Sequence, residues 1–124
     1  LWLKFSMLES EENLMDWQEE AKAIINDVKD HMKIMEVSAV LASTNQRIYL
    51  NATTLEGRDL CICVSGMGFR VVGNQFNTID EQIEGNAKIY ETPYALLTDI
   101  SPLYVQSFGQ TLQKAMEALA ENPP

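Results

Sequence analysis

The sequence predicts an α+β fold: an antiparallel sheet of about four strands with N-terminal and C-terminal helices packed mainly on one face. Three observations lead there. Apolar residues recur at helical spacing from Trp17 to Met35. At Val37 the pattern switches to short alternating runs separated by turn residues. Helical spacing then returns after Thr92 and persists to Leu119. A chain of 124 residues, 46% apolar, can bury one core and is short for two. The expected division is a flexible or cloning-derived lead-in over 1–15, a single domain over 16–120 and a tail over 121–124.

The acidic tract from Ser10 reads as loosely ordered until Asp16. Asp16 followed three residues later by Glu19 forms a capping-box pattern, which starts the first helix. Ala21, Ile24, Ile25, Val28, Met32 and Met35 make its apolar stripe, so a helix is expected over about 17–35. The simplest use of that stripe is to face the core.

Four runs then suit strands: "EVSAVLAS", "RIYLNATT", "RDLCICVS" and "GFRVVG". "TNQ", "LEG" and "GMG" separate them. Connections this short dictate an antiparallel meander, since parallel pairing needs a long crossover. Ile48, Leu50 and Ala52 share one face, as do Leu60, Ile62 and Val64. The polar run "NTIDEQIEGNAK" allows a turn of helix, and "TPYALLTDI" reads as a short helix.

The last helix begins sharply. Ser101 is a good N-cap and Pro102 suits the first helical position. At about 100° per residue, Tyr104, Ala115, Phe108, Leu119, Leu112, Val105 and Met116 fall in that angular order. They span roughly 120°, and Gly109 adds about 20° more, whereas a helix lying on a core needs little over about 100°. A terminal helix with this excess raises the question of a second apolar face; a stripe wholly consumed by the core is the plainer reading.

Little in the sequence points to chemistry. A net charge of −9, with nine Lys plus Arg, argues against nucleic acid and anionic membranes as partners. No run approaches the ~20 apolar residues of a transmembrane helix, and the opening "LWLKFSM" is too short for a secretory signal. Cys61 and Cys63 stand on the same side of a strand, poorly placed to bond each other, and read as reduced structural thiols. That suits a cytoplasmic or nuclear address. "NAT" at Asn51 matches a glycosylation sequon by chance. His31, the single histidine, is expected to be solvated or helix-capping. The glycines of "GMGFRVVG" lie between strands, so they suit a hairpin and not a phosphate cradle. Asp80, Glu81 and Glu84 read as a solvated face. No catalytic constellation, metal site or cofactor site is expected.

The string "YETPYALLTDISPLYVQSFGQTLQKAMEAL", preceded by "FRVVGNQF" and "EAKAIINDV", resembles the glycogen synthase kinase-3 beta interaction protein family from about Glu20 to Leu119. The resemblance implies a non-enzymatic α+β domain whose C-terminal helix enters a hydrophobic groove of glycogen synthase kinase-3 and restrains the kinase. It implies a partner-binding set of Val105, Leu112, Met116 and Leu119, with Met116 at the family's aliphatic contact position. Tyr104, Phe108, Ala115 and Leu119 are expected to face inward, so Leu119 is counted in both sets. Phe108→Ala is accordingly expected to act on stability first, by about 3–5 kcal/mol for a fully buried ring.

Vertebrate members also anchor the RII regulatory subunit of protein kinase A through the first helix, where they read "VVNDVLFAV". Here Ile24 to Met32 read "IINDVKDHM". Ile25, Asn26 and Val28 fit that anchoring helix, but Lys29 would place a charge on the docking stripe. RII binding is therefore expected to be weak or lost. Two other readings stay open: an interaction domain of a clustered-mitochondria-type protein, whose N-terminal region carries a related domain, and a small-ligand enzyme.

Overall fold

The computed structural model describes residues 15–121. The expected lead-in lies almost wholly outside them, as does most of the tail. The chain opens with α1 (Trp17–Val28), whose first turn is capped by Asp16. One Asp16 carboxylate oxygen accepts from the N–H groups of Gln18 and Glu19, at 3.1 and 3.3 Å. The Glu19 carboxylate lies 3.5 Å from Lys22 Nζ. Trp17, Ala21, Ile24 and Val28 make the buried stripe.

The first helix is shorter than its periodicity predicts. After Val28 the chain tightens into a 3-10 turn (Lys29–His31), and β1 occupies Ile34–Val37. Met35 fits both the helical stripe with Met32 and an alternation with Val37, and neither Gly nor Pro marks a stop. Pairing decides the matter: the Lys33 N–H donates to Thr53 O at 2.9 Å, and Met35 and Val37 lie opposite Ala52 and Leu50. The ladder with the next strand thus overrides local helix preference. Most of "EVSAVLAS" is consequently a loop, begun by Ser38, whose Oγ accepts from the Val40 and Leu41 N–H groups at 3.2 and 2.9 Å.

The other strands are β2 (Arg47–Thr53), β3 (Asp59–Ser65) and β4 (Gly68–Gly73). All four form one antiparallel sheet in sequential order. Ile48, Leu50 and Ala52 sit opposite Val64, Ile62 and Leu60, as the alternation predicts. These residues are buried beneath α1 and α3 (Pro93–Ile100), which contributes Leu96 and Leu97 to the same core. Each Ile, Leu or Val among them contributes about 1.5–3 kcal/mol by leaving water.

The reverse face is also dry, but loops cover it. Tyr49, Cys61, Cys63 and Val72 form a second cluster, with Leu41 packed against it. Asn77, in the left-handed region at φ 58°, closes this side. Its side-chain oxygen accepts from Asn51 Nδ2 at 2.8 Å and from Ser38 Oγ at 2.6 Å, while its N–H donates to Asn51 Oδ1 at 2.8 Å. Gly73 permits this closure, because a Cβ there would stand 1.9 Å from Thr78 O. At the other end of β4, Gly68 (φ +130°) lets Tyr90 approach the strand edge. Phe69 and Tyr90 exchange backbone hydrogen bonds of 2.8 and 2.9 Å there.

The polar run does contain a turn of helix, α2 (Glu81–Gly85), capped by Asp80. Glu84 is 3.8 Å from Arg70, so part of the expected solvated face is tied to the sheet. The chain ends in α4 (Pro102–Glu121).

Cys61 and Cys63 are free and buried. Burial pushes the Cys61 thiol up, which disfavours the reactive thiolate. Thiol titration without reductant should find two groups after denaturation and a much slower reaction in the folded protein; finding none would show them to be oxidised.

Candidate docking helix

Helix α4 is built in two unlike halves. Ser101 is fully buried and starts the helix, its Oγ accepting from the Tyr104 N–H at 3.0 Å. The following two turns are seated. Tyr104 is buried in the main core. His31, from the 3-10 turn, meets Tyr104 and Phe108 edge-on at centroid distances of 5.8 and 5.6 Å. Its Nδ1 lies 2.7 Å from Ser107 Oγ, 76 residues away in sequence.

His31 is therefore neither solvated nor a helix cap. It is buried, wedged between the end of α1 and the base of α4. Its polar neighbours in sequence gave no hint of this, because the residues that cover it come from the other end of the chain.

Beyond Phe108 the helix leaves the domain. Every described residue from Gly109 to Glu121 is exposed. A Cβ at Gly109 would meet nothing within 4 Å. Val105, Leu112, Met116 and Leu119 are 45%, 52%, 62% and 64% exposed, so the expected partner-binding set is on the surface. The expected inward set is overturned except at Tyr104. Phe108 is 48% exposed, touching the domain through one side of its ring, and Ala115 and Leu119 are fully on the outside. The reason is geometric: α1 and α3 already occupy the sheet face, leaving support for only the first two turns of α4. Helical periodicity reports that a face is apolar, not what covers it.

Along α1 and the 3-10 turn that follows it, the four candidate anchoring residues divide. Val28 is fully buried in the core and Ile25 is half-buried against it, whereas Asn26 and Lys29 are exposed. Asp27 is occupied as well, accepting from the Tyr94 hydroxyl at 2.7 Å. Burial and that hydrogen bond push Tyr94 up to about 12. Among the described residues, no group of three or more His, Cys, Asp or Glu side chains is placed to hold a metal ion. No described helix is long and apolar enough to cross a membrane.

This arrangement can be set against known proteins. The family profile described as "GSKIP domain" matches residues 17–119, from the first residue of α1 almost to the end of α4. The chain belongs to the GSKIP domain family. The GSK3B-interacting protein of Bos taurus is 35% identical over 107 residues, covering 86% of this chain and 76% of that protein. The Homo sapiens protein of that name is 34% identical over the same length and shares. In Drosophila melanogaster, a protein named GSKIP homolog is 28% identical over 104 residues, covering 84% of this chain and 87% of its own. The GSKIP match thus includes the uncovered half of α4 as well as the packed domain.

The two aromatic residues at the base of the helix should separate core from surface. Tyr104→Ala is expected to destabilise by about 3–5 kcal/mol, as for a buried ring. Phe108→Ala should cost only roughly 1–2 kcal/mol, because about half its area never leaves water. Equal losses in denaturant melts would contradict the half-exposed placement of Phe108.

Proposed function

We propose that this GSKIP domain is a non-enzymatic regulator that binds glycogen synthase kinase-3 and restrains it by seating α4 in a hydrophobic groove. The observation that carries this reading is the uncovered distal half of α4, with Leu112, Met116 and Leu119 on its surface. An amphipathic helical segment that buries none of its apolar face against its own domain suits recognition by a groove, through anchors at helical spacing. The names of the Bos taurus and Homo sapiens relatives supply the identity of the partner.

A second copy of the chain fits the helix less well. Val105, Phe108, Leu112, Ala115 and Leu119 follow a 3-4-3-4 alternation and so occupy only about two heptads, whereas a self-pairing coiled coil needs about three to four. A groove, which surrounds the helix, extracts more burial from the same short stripe.

Binding energy at such interfaces concentrates in a few anchors, each worth roughly 2 kcal/mol or more. Met116 is 62% exposed, so a charge there has water around it in the free protein and loses that water only on docking. Met116→Asp should therefore leave thermal stability unchanged and abolish capture of the purified kinase. A variant that unfolds, or that folds and still binds, would exclude Met116 from the interface.

We further propose that RII anchoring is weak or lost. A second apolar stripe along α1 and the 3-10 turn after it would have to run through Asn26, Lys29 and Asp30, all exposed and polar, while Val28 is committed to the core. Replacing Lys29 with Leu and Asp30 with Phe should create or strengthen binding to the RII dimerisation domain. His31 must stay, because it supports α4. Tight RII binding by the unaltered chain would refute the charge argument.

A further inference from the structure

The distal half of α4 is helical without any packing to hold it so. Isolated helices of about 12–15 residues are marginal in water, and the difficult step is forming the first turn. Gly109 adds a penalty of about 1 kcal/mol relative to Ala within the same helix. The stability of the exposed stripe as a helix must therefore propagate from the base.

At that base the N-terminal donors of the helix are all answered. Pro102 has no N–H. The Leu103 N–H donates to Glu56 Oε2 at 2.9 Å, the Tyr104 N–H donates to Ser101 Oγ, and the Val105 N–H reaches Ser101 O at 3.4 Å. Ser101 Oγ in turn donates to Glu56 Oε1 at 2.7 Å. Glu56 belongs to the turn between β2 and β3, 45 residues from Ser101, and is the one side chain tying this helix start to the sheet among the described hydrogen bonds. Its negative charge also suits the positive end of the helix dipole. The Leu103 N–H and then the Ser101 hydroxyl hold its carboxyl down to about 2, so it is ionised throughout the neutral range.

We propose that Glu56 is a positioning residue for partner docking: by capping α4 from the sheet it nucleates the helix and presents the distal stripe preformed. This rests on the reading of α4 as the docking helix. A partner that binds only the helical form has its affinity reduced by the fraction of chains in which that form exists. Glu56 would then set affinity from outside the interface, touching no partner atom.

Amide hydrogen exchange and kinase binding, measured on the unaltered chain, Glu56→Ala and Glu56→Gln, test this. In Glu56→Ala, amides of residues 110–119 should lose protection while those of β2 and β3 keep theirs, and the Kd should rise roughly fivefold if the helical fraction falls to about a fifth. Glu56→Gln retains one acceptor oxygen and should recover part of both effects. Unchanged distal protection would overturn the proposal, as would an unchanged Kd despite a frayed helix. Equal loss of protection in the sheet would reduce Glu56 to a general stabilising contact and equally overturn it. If the unaltered chain fails to bind the kinase, the docking reading itself falls, and with it the role of Glu56. That failure is recognisable before any Glu56 variant is made.

Discussion

Ile48, Leu50 and Ala52 of β2 and Leu60, Ile62 and Val64 of β3 face one another across the ladder and present one dry surface. That surface has room for two helices, and α1 and α3 take it. Trp17, Ala21, Ile24 and Val28 cover it from one side, and Leu96 and Leu97 from the other. A sheet face buried this fully leaves α4 only the margin of the helical layer. The width of the sheet therefore decides that a third long helix must project.

The consequence is a separation of tasks along one helix. Ser101, Tyr104 and Ser107 serve the fold, through Glu56, the core and His31 respectively. Residues after Gly109 contribute nothing to the domain, so their apolar side chains are unconstrained by its packing. Natural cores resist substitution because they are close-packed. A surface outside the core can be shaped for a partner without that restriction. The cost is an exposed apolar patch, which on a soluble domain ordinarily marks an interaction surface.

The opposite side of the sheet meets a different constraint. It is covered mainly by loops, so most of its polar side chains must find partners within them. The reciprocal pair of Asn51 and Asn77, extended to Ser38, satisfies the polar side chains at its centre. Unpaired polar groups in such a place would each cost about 1–3 kcal/mol, which makes the network a condition for closing this face. Gly73 and the left-handed Asn77 are the backbone requirements of that closure.

Much of this was legible in the chain itself. The meander, the faces of β2 and β3, the bounds of β4, the caps at Asp16 and Ser101 and the apolar stripe of α4 are local or short-period properties, written in adjacent residues. What required the tertiary structure was every decision made by distant neighbours. Met32 to Met35 left the helical state because β2 offered a ladder. His31 was buried because α4 folded back over it, and Phe108, Ala115 and Leu119 stayed outside because α1 and α3 had already filled the sheet. Glu56 became a helix cap from a turn that follows an ordinary strand, with no nearby residue to announce it. Periodicity determines that a helix has an apolar face; competition for a finite surface determines which turns of that face are covered.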